Sequence, residues 1–215
     1  MTLRRFATSE CMEPSRDLDK YGQYLFSGNL TLVQIDFQRR VASYANKSPE
    51  EAKKAAADAL YAMHWGPTRV TLYNLLLLAT FIDPMGREGI LQVTRWLANE
   101  AQVPVNGRDV SGTTAMHHAI STKPSFDPEF AQILYDAGGD VMIRNRYGET
   151  AVFEAVKVMD PDDAEQVERA SGAIEFYLTH GGNMDIKDND GAGARDVLEK
   201  IFRLYWKSEI GRAHV

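Results

Sequence analysis

The chain has 215 residues, 44% of them hydrophobic and 25% charged, and a formal net charge of −6. This composition fits a folded soluble protein with enough chain for a core, and it excludes low-complexity, fibrous and disulfide-scaffold classes. The acidic balance argues against general affinity for nucleic acid, and the longest apolar stretch, within residues 72–82, falls short of the ~20 residues a bilayer span needs.

A single cysteine, Cys11, leaves no internal disulfide and suits a reducing compartment. Met1-Thr2-Leu3-Arg4-Arg5-Phe6 leads into Ser9-Glu10-Cys11 rather than an apolar signal segment, so an intracellular location, cytoplasm or nucleus, is expected. The sequons at Asn29 and Asn46 are then chance matches.

Arg16 to Phe26 predicts a first helix with Leu18, Tyr21 and Leu25 on one side, ended by Gly28. Leu32 to Tyr44 predicts a second. Ser48-Pro49-Glu50-Glu51 reads as a helix start: a serine cap, a proline in the first turn and a glutamate closing the capping box. Ala52, Ala56, Ala59, Leu60 and Met63 follow at helical spacing. Gly66-Pro67 ends that helix, Thr68 to Ile82 predicts a buried helix, and Asp83-Pro84-Met85-Gly86 breaks it. Ile90, Val93, Trp96 and Leu97 mark another helix, with Val103 to Asn106 as a connecting finger.

From residue 109 a unit recurs. Asp109-Val110-Ser111-Gly112-Thr113-Thr114-Ala115-Met116-His117-His118-Ala119 is one copy, and Asn145-Arg146-Tyr147-Gly148-Glu149-Thr150-Ala151-Val152-Phe153-Glu154-Ala155 is the next. A worn third runs from Asp188 through Gly191 to Leu198. Gly138-Gly139 and Gly181-Gly182 precede the second and third copies as helix stops. The glycine of each copy sits where a tight turn needs positive φ, and a threonine two residues later is placed to cap the following helix in the first two. Val141, Ile143 and Ile186 are β-like residues in the fingers. Val197 to Lys207 predicts a final capping helix with Leu198, Ile201, Phe202 and Tyr205 buried. Trp206 and the tail to Val215 have no assigned role.

This unit resembles the ankyrin repeat, an Asp-x-x-Gly turn followed by Thr-Pro-Leu-His-x-Ala. Thr114-Ala115-Met116-His117-His118-Ala119 matches except at Pro and Leu, and Thr150 to Ala155 has Phe153 in place of His. The glycines are spaced 36 and 43 residues apart, against about 33 in the family. The excess falls at residues 122–128 and 159–163. Tyr24 to Val33 resembles the middle of a degenerate first repeat, and residues 71–106 a divergent one.

The resemblance implies an all-α ankyrin-repeat solenoid of about four to five units. It spans one domain: residues 1–106 divergent, 107–198 clear, 199–215 a cap and tail. Such a stack binds a protein partner on the concave side formed by fingers and inner helices. The positions expected to face outward there are Val110, Ser111, Thr113, Ser121 and Thr122; Arg146, Tyr147, Glu149, Lys157 and Val158; and Asn189, Asp190 and Ala192. Arg144, Arg146 and Tyr147 form the richest patch, suited to an acidic segment of a partner. No catalytic residue, cofactor, metal, membrane or small-molecule substrate is expected. Alternatives are an adaptor segment of a longer regulatory protein, or an enzyme with a site in the divergent half that uses His64.

The chemical features have plainer readings. Adjacent His117 and His118 diverge by about 100° on a helix, and the resemblance makes His117 structural. His64, His180 and His214 show no ligand spacing. Asp185 to Gly191 fails as a calcium loop because Ile186 and Val197 occupy essential carboxylate positions. Asp160, Asp162, Asp163 and Glu165 suit a helix N-terminus. Cys11 has no base nearby in sequence.

Overall fold

A computed structural model of the chain describes residues 18–121 and 126–212, with side chains as far as 205. Cys11, Arg16, Thr122, His214 and the side chain of Trp206 lie outside that range; the first helix, expected from Arg16, begins at Lys20, because Asp19 caps it in extended conformation. The structure is mostly helical, and its contacts divide it after Val103 into two units.

In the first unit, α1 (Lys20–Phe26) pairs with α2 (Leu30–Ser43), and α4 (Leu72–Ile82) with α5 (Arg87–Arg95). Helix α1 packs on α4 and α2 on α5, while α3 (Pro49–Tyr61) lies against α2. Glycine permits the close approach: Gly28 has φ +62°, and a Cβ there would lie 2.7 Å from the Ile90 backbone nitrogen. The reciprocal Ser48–Glu51 box starts α3. Its buried face is Ala52, Ala56, Ala57 and Leu60, whereas Ala59 and Met63 are only half-buried. Leu72, Leu75, Leu76 and Leu77 of α4 are fully buried, each contributing about 1.5–3 kcal/mol.

Two features depart from the sequence reading. Residues 68–71 are not helical. His64–Trp65 and Val70–Thr71 form an antiparallel hairpin around Gly66 and Arg69, both at positive φ, and Thr71 caps α4. The Trp65 indole N–H donates to the Asp19 carboxylate at the start of α1 (3.0 Å), which anchors the hairpin. Helix α5 runs into a π turn, Trp96–Glu100, that sets the Trp96 ring edge-on to Phe37 at 5.4 Å.

In the second unit α6 (Ala115–Ile120), α8 (Val152–Lys157) and α10 (Ala194–Arg212) pack in succession. Helix α7 (Pro128–Asp136) covers α6, and α9 (Ala164–Thr179) covers α8. The turns before α6, α8 and α10 share one geometry. Asp109, Asn145 and Asp188 each accept from the backbone N–H two and four residues on, at 2.7–3.1 Å. Their own N–H groups donate to the carbonyls of Thr113, Glu149 and Ala192. Gly112, Gly148 and Gly191 close the turns at φ +73°, +80° and +83°. A turn that saturates its own amides leaves little for a ladder. Val141, Ile143 and Ile186 therefore lie in no strand, and among the described residues the fingers hold only an isolated Lys187–Gly193 bridge. The Gly138-Gly139 and Gly181-Gly182 pairs end α7 and α9 as paired 6→1 and 5→2 bonds.

Helix α10 departs from a buried cap. Val197, Leu198, Ile201 and Tyr205 are half-buried and Phe202 is 38% exposed. Helix α8 has 6 residues and α10 has 19, so α8 covers only part of it. Among the described residues no helix is long and apolar enough to cross a membrane.

Candidate functional site

The repeated turns stack through like positions. The Arg146 N–H donates to Ser111 O and the Asn189 N–H to Tyr147 O, both at 2.9 Å. One residue before each turn, the Arg108 guanidinium donates to Arg144 O (2.9 Å) and Arg144 to Lys187 O (2.7 Å). Arg144 also donates to Gly148 O at 2.8 Å, and the Asn189 amide to Arg146 O at 2.9 Å. Arg144 and Asn189, expected to meet a partner, thus hold the turns together, though both remain exposed.

Beneath the first turn, His117 is 3% exposed. Its Nδ1 accepts from the Thr114 N–H (3.2 Å), and Nε2 lies 3.3 Å from Glu149 O of the next turn. Burial, with His118 and Arg108 nearby, lowers its pKa to about 4, so it is neutral at pH 7. At the equivalent place Phe153 is fully buried. There the Tyr177 hydroxyl serves the polar groups, 3.0 Å from Thr150 Oγ1 and 3.1 Å from Asn183 O.

Between the first two turns lies a cleft of about 200 Å³ lined by Ser111, Thr113, His118, Tyr147, Glu149 and Glu154 among others. The structure thus gathers five sequence-predicted residues: Ser111, Thr113, Ser121, Tyr147 and Glu149. Tyr147 is 50% exposed and carries the Arg146 guanidinium over its ring at 4.8 Å. Two placements differ from expectation. Glu149 is only 6% exposed; its carboxylate pairs with Lys157 and accepts from the Asn145 amide (3.3 Å). It points inward because residue 149 closes the turn on Asn145. Ser121 is buried as well, at the C-terminus of α6 rather than on its outer face.

His118 and Glu154 were missed. They occupy the same repeat position, directly after the buried His117 and Phe153, and that shared register was the available signal. His118 Nε2 lies 3.8 Å from Asp109. Burial raises the Asp109 pKa, but the nearby His118 ring and the hydrogen bonds from the Thr113 and Ser111 amides outweigh it and hold the carboxyl below its ordinary value.

The other chemical candidates are occupied locally. Asp185 pairs with Arg195 (2.8 Å), and Asp188 is taken by its turn. Asp163 caps α9; the Gln166 side chain and amide hold its carboxyl below the usual range. His64 sits in the hairpin with Nδ1 2.9 Å from Ala62 O. A surface hollow of about 360 Å³ in the first unit is lined by Glu50, Lys53, Lys54, Ala57, Ala101 and Gln102, without His64. Among the described residues no three His, Cys, Asp or Glu side chains converge on a metal position.

No family model matches the chain. Over 100 residues it is 31% identical to an ankyrin repeat-containing protein of Schizosaccharomyces pombe, a match covering 46% of this chain and 41% of that protein. The chain therefore spans less than half of that relative's length, and the likeness agrees with repeats of the ankyrin kind.

Proposed function

We propose that this chain is a non-catalytic ankyrin-repeat adaptor whose turns and inner helices bind a protein partner. The observation that carries the reading is the repeated turn, in which like residues make like bonds and present Arg146, Tyr147, Ser111 and Thr113 along one edge. The packing of α6, α8 and α10, with α7 and α9 behind, supports a solenoid, as does the similarity to an ankyrin repeat-containing protein. The helix pairs of the first unit support two divergent repeats in the same chain.

Tyr147 is the anchor, a half-exposed aromatic held in place by Arg146. The guanidinium groups of Arg108 and Arg144 are fixed by carbonyls, which leaves their charge intact. With Arg146 they favour an acidic stretch of the partner. Affinity capture from source lysate, with parent and Arg146→Ala/Tyr147→Ala chains side by side, tests this. The double substitution should weaken partner binding by about 2 kcal/mol or more while leaving circular dichroism unchanged. Partners retained equally by both chains would place recognition elsewhere.

A further inference from the structure

We propose that the cleft between the first two turns of the second unit receives one lysine or arginine side chain from the bound partner; this rests on the protein-binding reading above. A space of about 200 Å³ accommodates a single long side chain rather than a helix. Its free polar groups are acceptors. Glu154 is half-buried, and among the described residues its carboxylate has no hydrogen bond or ion pair. The hydroxyls of Ser111 and Thr113 are half-buried and likewise unengaged. Beneath them sits the Glu149 carboxylate, already matched by Lys157.

The remaining lining is committed elsewhere. The Thr150 hydroxyl faces Tyr177, the Asn145 side chain serves its turn and Glu149, and His117 is buried on Thr114 and Glu149. Arg146 stays over Tyr147, so no cation of this chain fills the cleft among the described residues. An ammonium or guanidinium donates to all three free acceptors and meets the unmatched charge of Glu154. A carboxylate would lie against the unmatched charge of Glu154, with the two hydroxyls and the His118 ring as its donors. His118 faces the same space, with its Nε2 3.8 Å from Asp109. The partner segment that fits is of mixed charge, acidic against Arg146 and basic in the cleft.

The test uses the full chain and needs no natural partner. Acetyl-Gly-Arg-Gly-amide and acetyl-Gly-Glu-Gly-amide are titrated in turn while backbone amides are followed by NMR. The arginine peptide should give saturable shifts centred on Ser111, Thr113, His118, Tyr147 and Glu154, and the glutamate peptide none there. Glu154→Gln should weaken the arginine peptide at least tenfold, and Thr113→Val by a smaller factor, with other amides in place to show an intact fold. Equal shifts from both peptides, shifts centred elsewhere, or full affinity in Glu154→Gln would overturn the proposal. A natural partner lost with Arg146→Ala/Tyr147→Ala but indifferent to Glu154→Gln would overturn it too, and would leave the protein-binding reading standing.

Discussion

His117 should make this protein acid-sensitive in a defined window, and Phe153 shows how to remove the effect. The unfolded imidazole titrates at 6.5, and burial brings the folded value down to about 4. A lowered histidine pKa means that the unfolded chain binds a proton that the folded one refuses. Stability is therefore complete above pH 6.5 and falls as pH drops toward 4. Each pH unit in that interval is worth about 1.4 kcal/mol. Roughly 2 kcal/mol is lost by pH 5, and about 3 kcal/mol by the end. The Asp109 carboxyl, held below its ordinary value of 3.8, loses its contribution only below that pH, outside the window. His117→Phe places in the first repeat the side chain that the second already buries. At pH 7.5 the variant should be less stable by about 1–2 kcal/mol, because the buried Thr114 amide loses its acceptor. At pH 5 that gap should close or invert. Urea denaturation followed by circular dichroism at both pH values reads it directly. A parent and variant that decline in parallel would refute the assignment of the slope to His117.

Gly148→Ala and Gly191→Ala form a matched pair. Both have φ near +80°, which a non-glycine residue adopts at about 1–2 kcal/mol. An added Cβ at 148 would also lie 2.8 Å from the Asn189 backbone nitrogen, whereas at 191 it meets nothing within 4 Å. Thermal melts should therefore show the 148 variant clearly the less stable. Arg144→Ala removes bonds to Gly148 O and Lys187 O and should destabilise by about 1–2 kcal/mol. Arg146→Ala removes only a stacked surface cation and should change melting by less than about 0.5 kcal/mol. Ser48→Ala opens the α3 capping box and should lower stability by about 1 kcal/mol in the same assay.

Features governed by neighbours in sequence were legible. The Asp-x-x-Gly turns, the Gly-Gly helix stops and the Ser48 box each depend on a few adjacent residues, and the structure has all of them. The hairpin at residues 64–71 was not legible, because its anchor is the Trp65 bond to Asp19, across 46 residues. Nor was the π turn at Trp96, which serves a packing need against Phe37. At the candidate site, Tyr147, Ser111 and Thr113 followed from turn register. The inward placement of Glu149 did not, since besides closing the turn on Asn145 its carboxylate pairs with Lys157, eight residues further on. Phe202 was read as buried from helical spacing alone; spacing gives the face of a helix but not how much of its length the neighbour covers.

The same bonds that hold the turns together bear on how the cleft would bind. Ser111 and Tyr147 lend their carbonyls to the next turn, and Thr113 and Glu149 lend theirs to their own. The backbone of the lining is fixed on both sides before any partner arrives. His117 adds a tie from α6 to the carbonyl of Glu149, beneath the cleft floor. A partner therefore has only side chains to order, chiefly Glu154 and Tyr147, at about 0.5–1.5 kcal/mol for each rotamer-rich group. The arrangement also couples fold to recognition. Protonating His117 below pH 5 puts a proton on Nδ1, which then no longer accepts from the Thr114 N–H, so the start of α6 beside the cleft should loosen in the same acid range in which the first repeat loses stability. The α8–α10 junction lacks this sensitivity. Phe153 carries no proton, and Asn189 and Arg144 hold that turn through amide and guanidinium groups that do not titrate there.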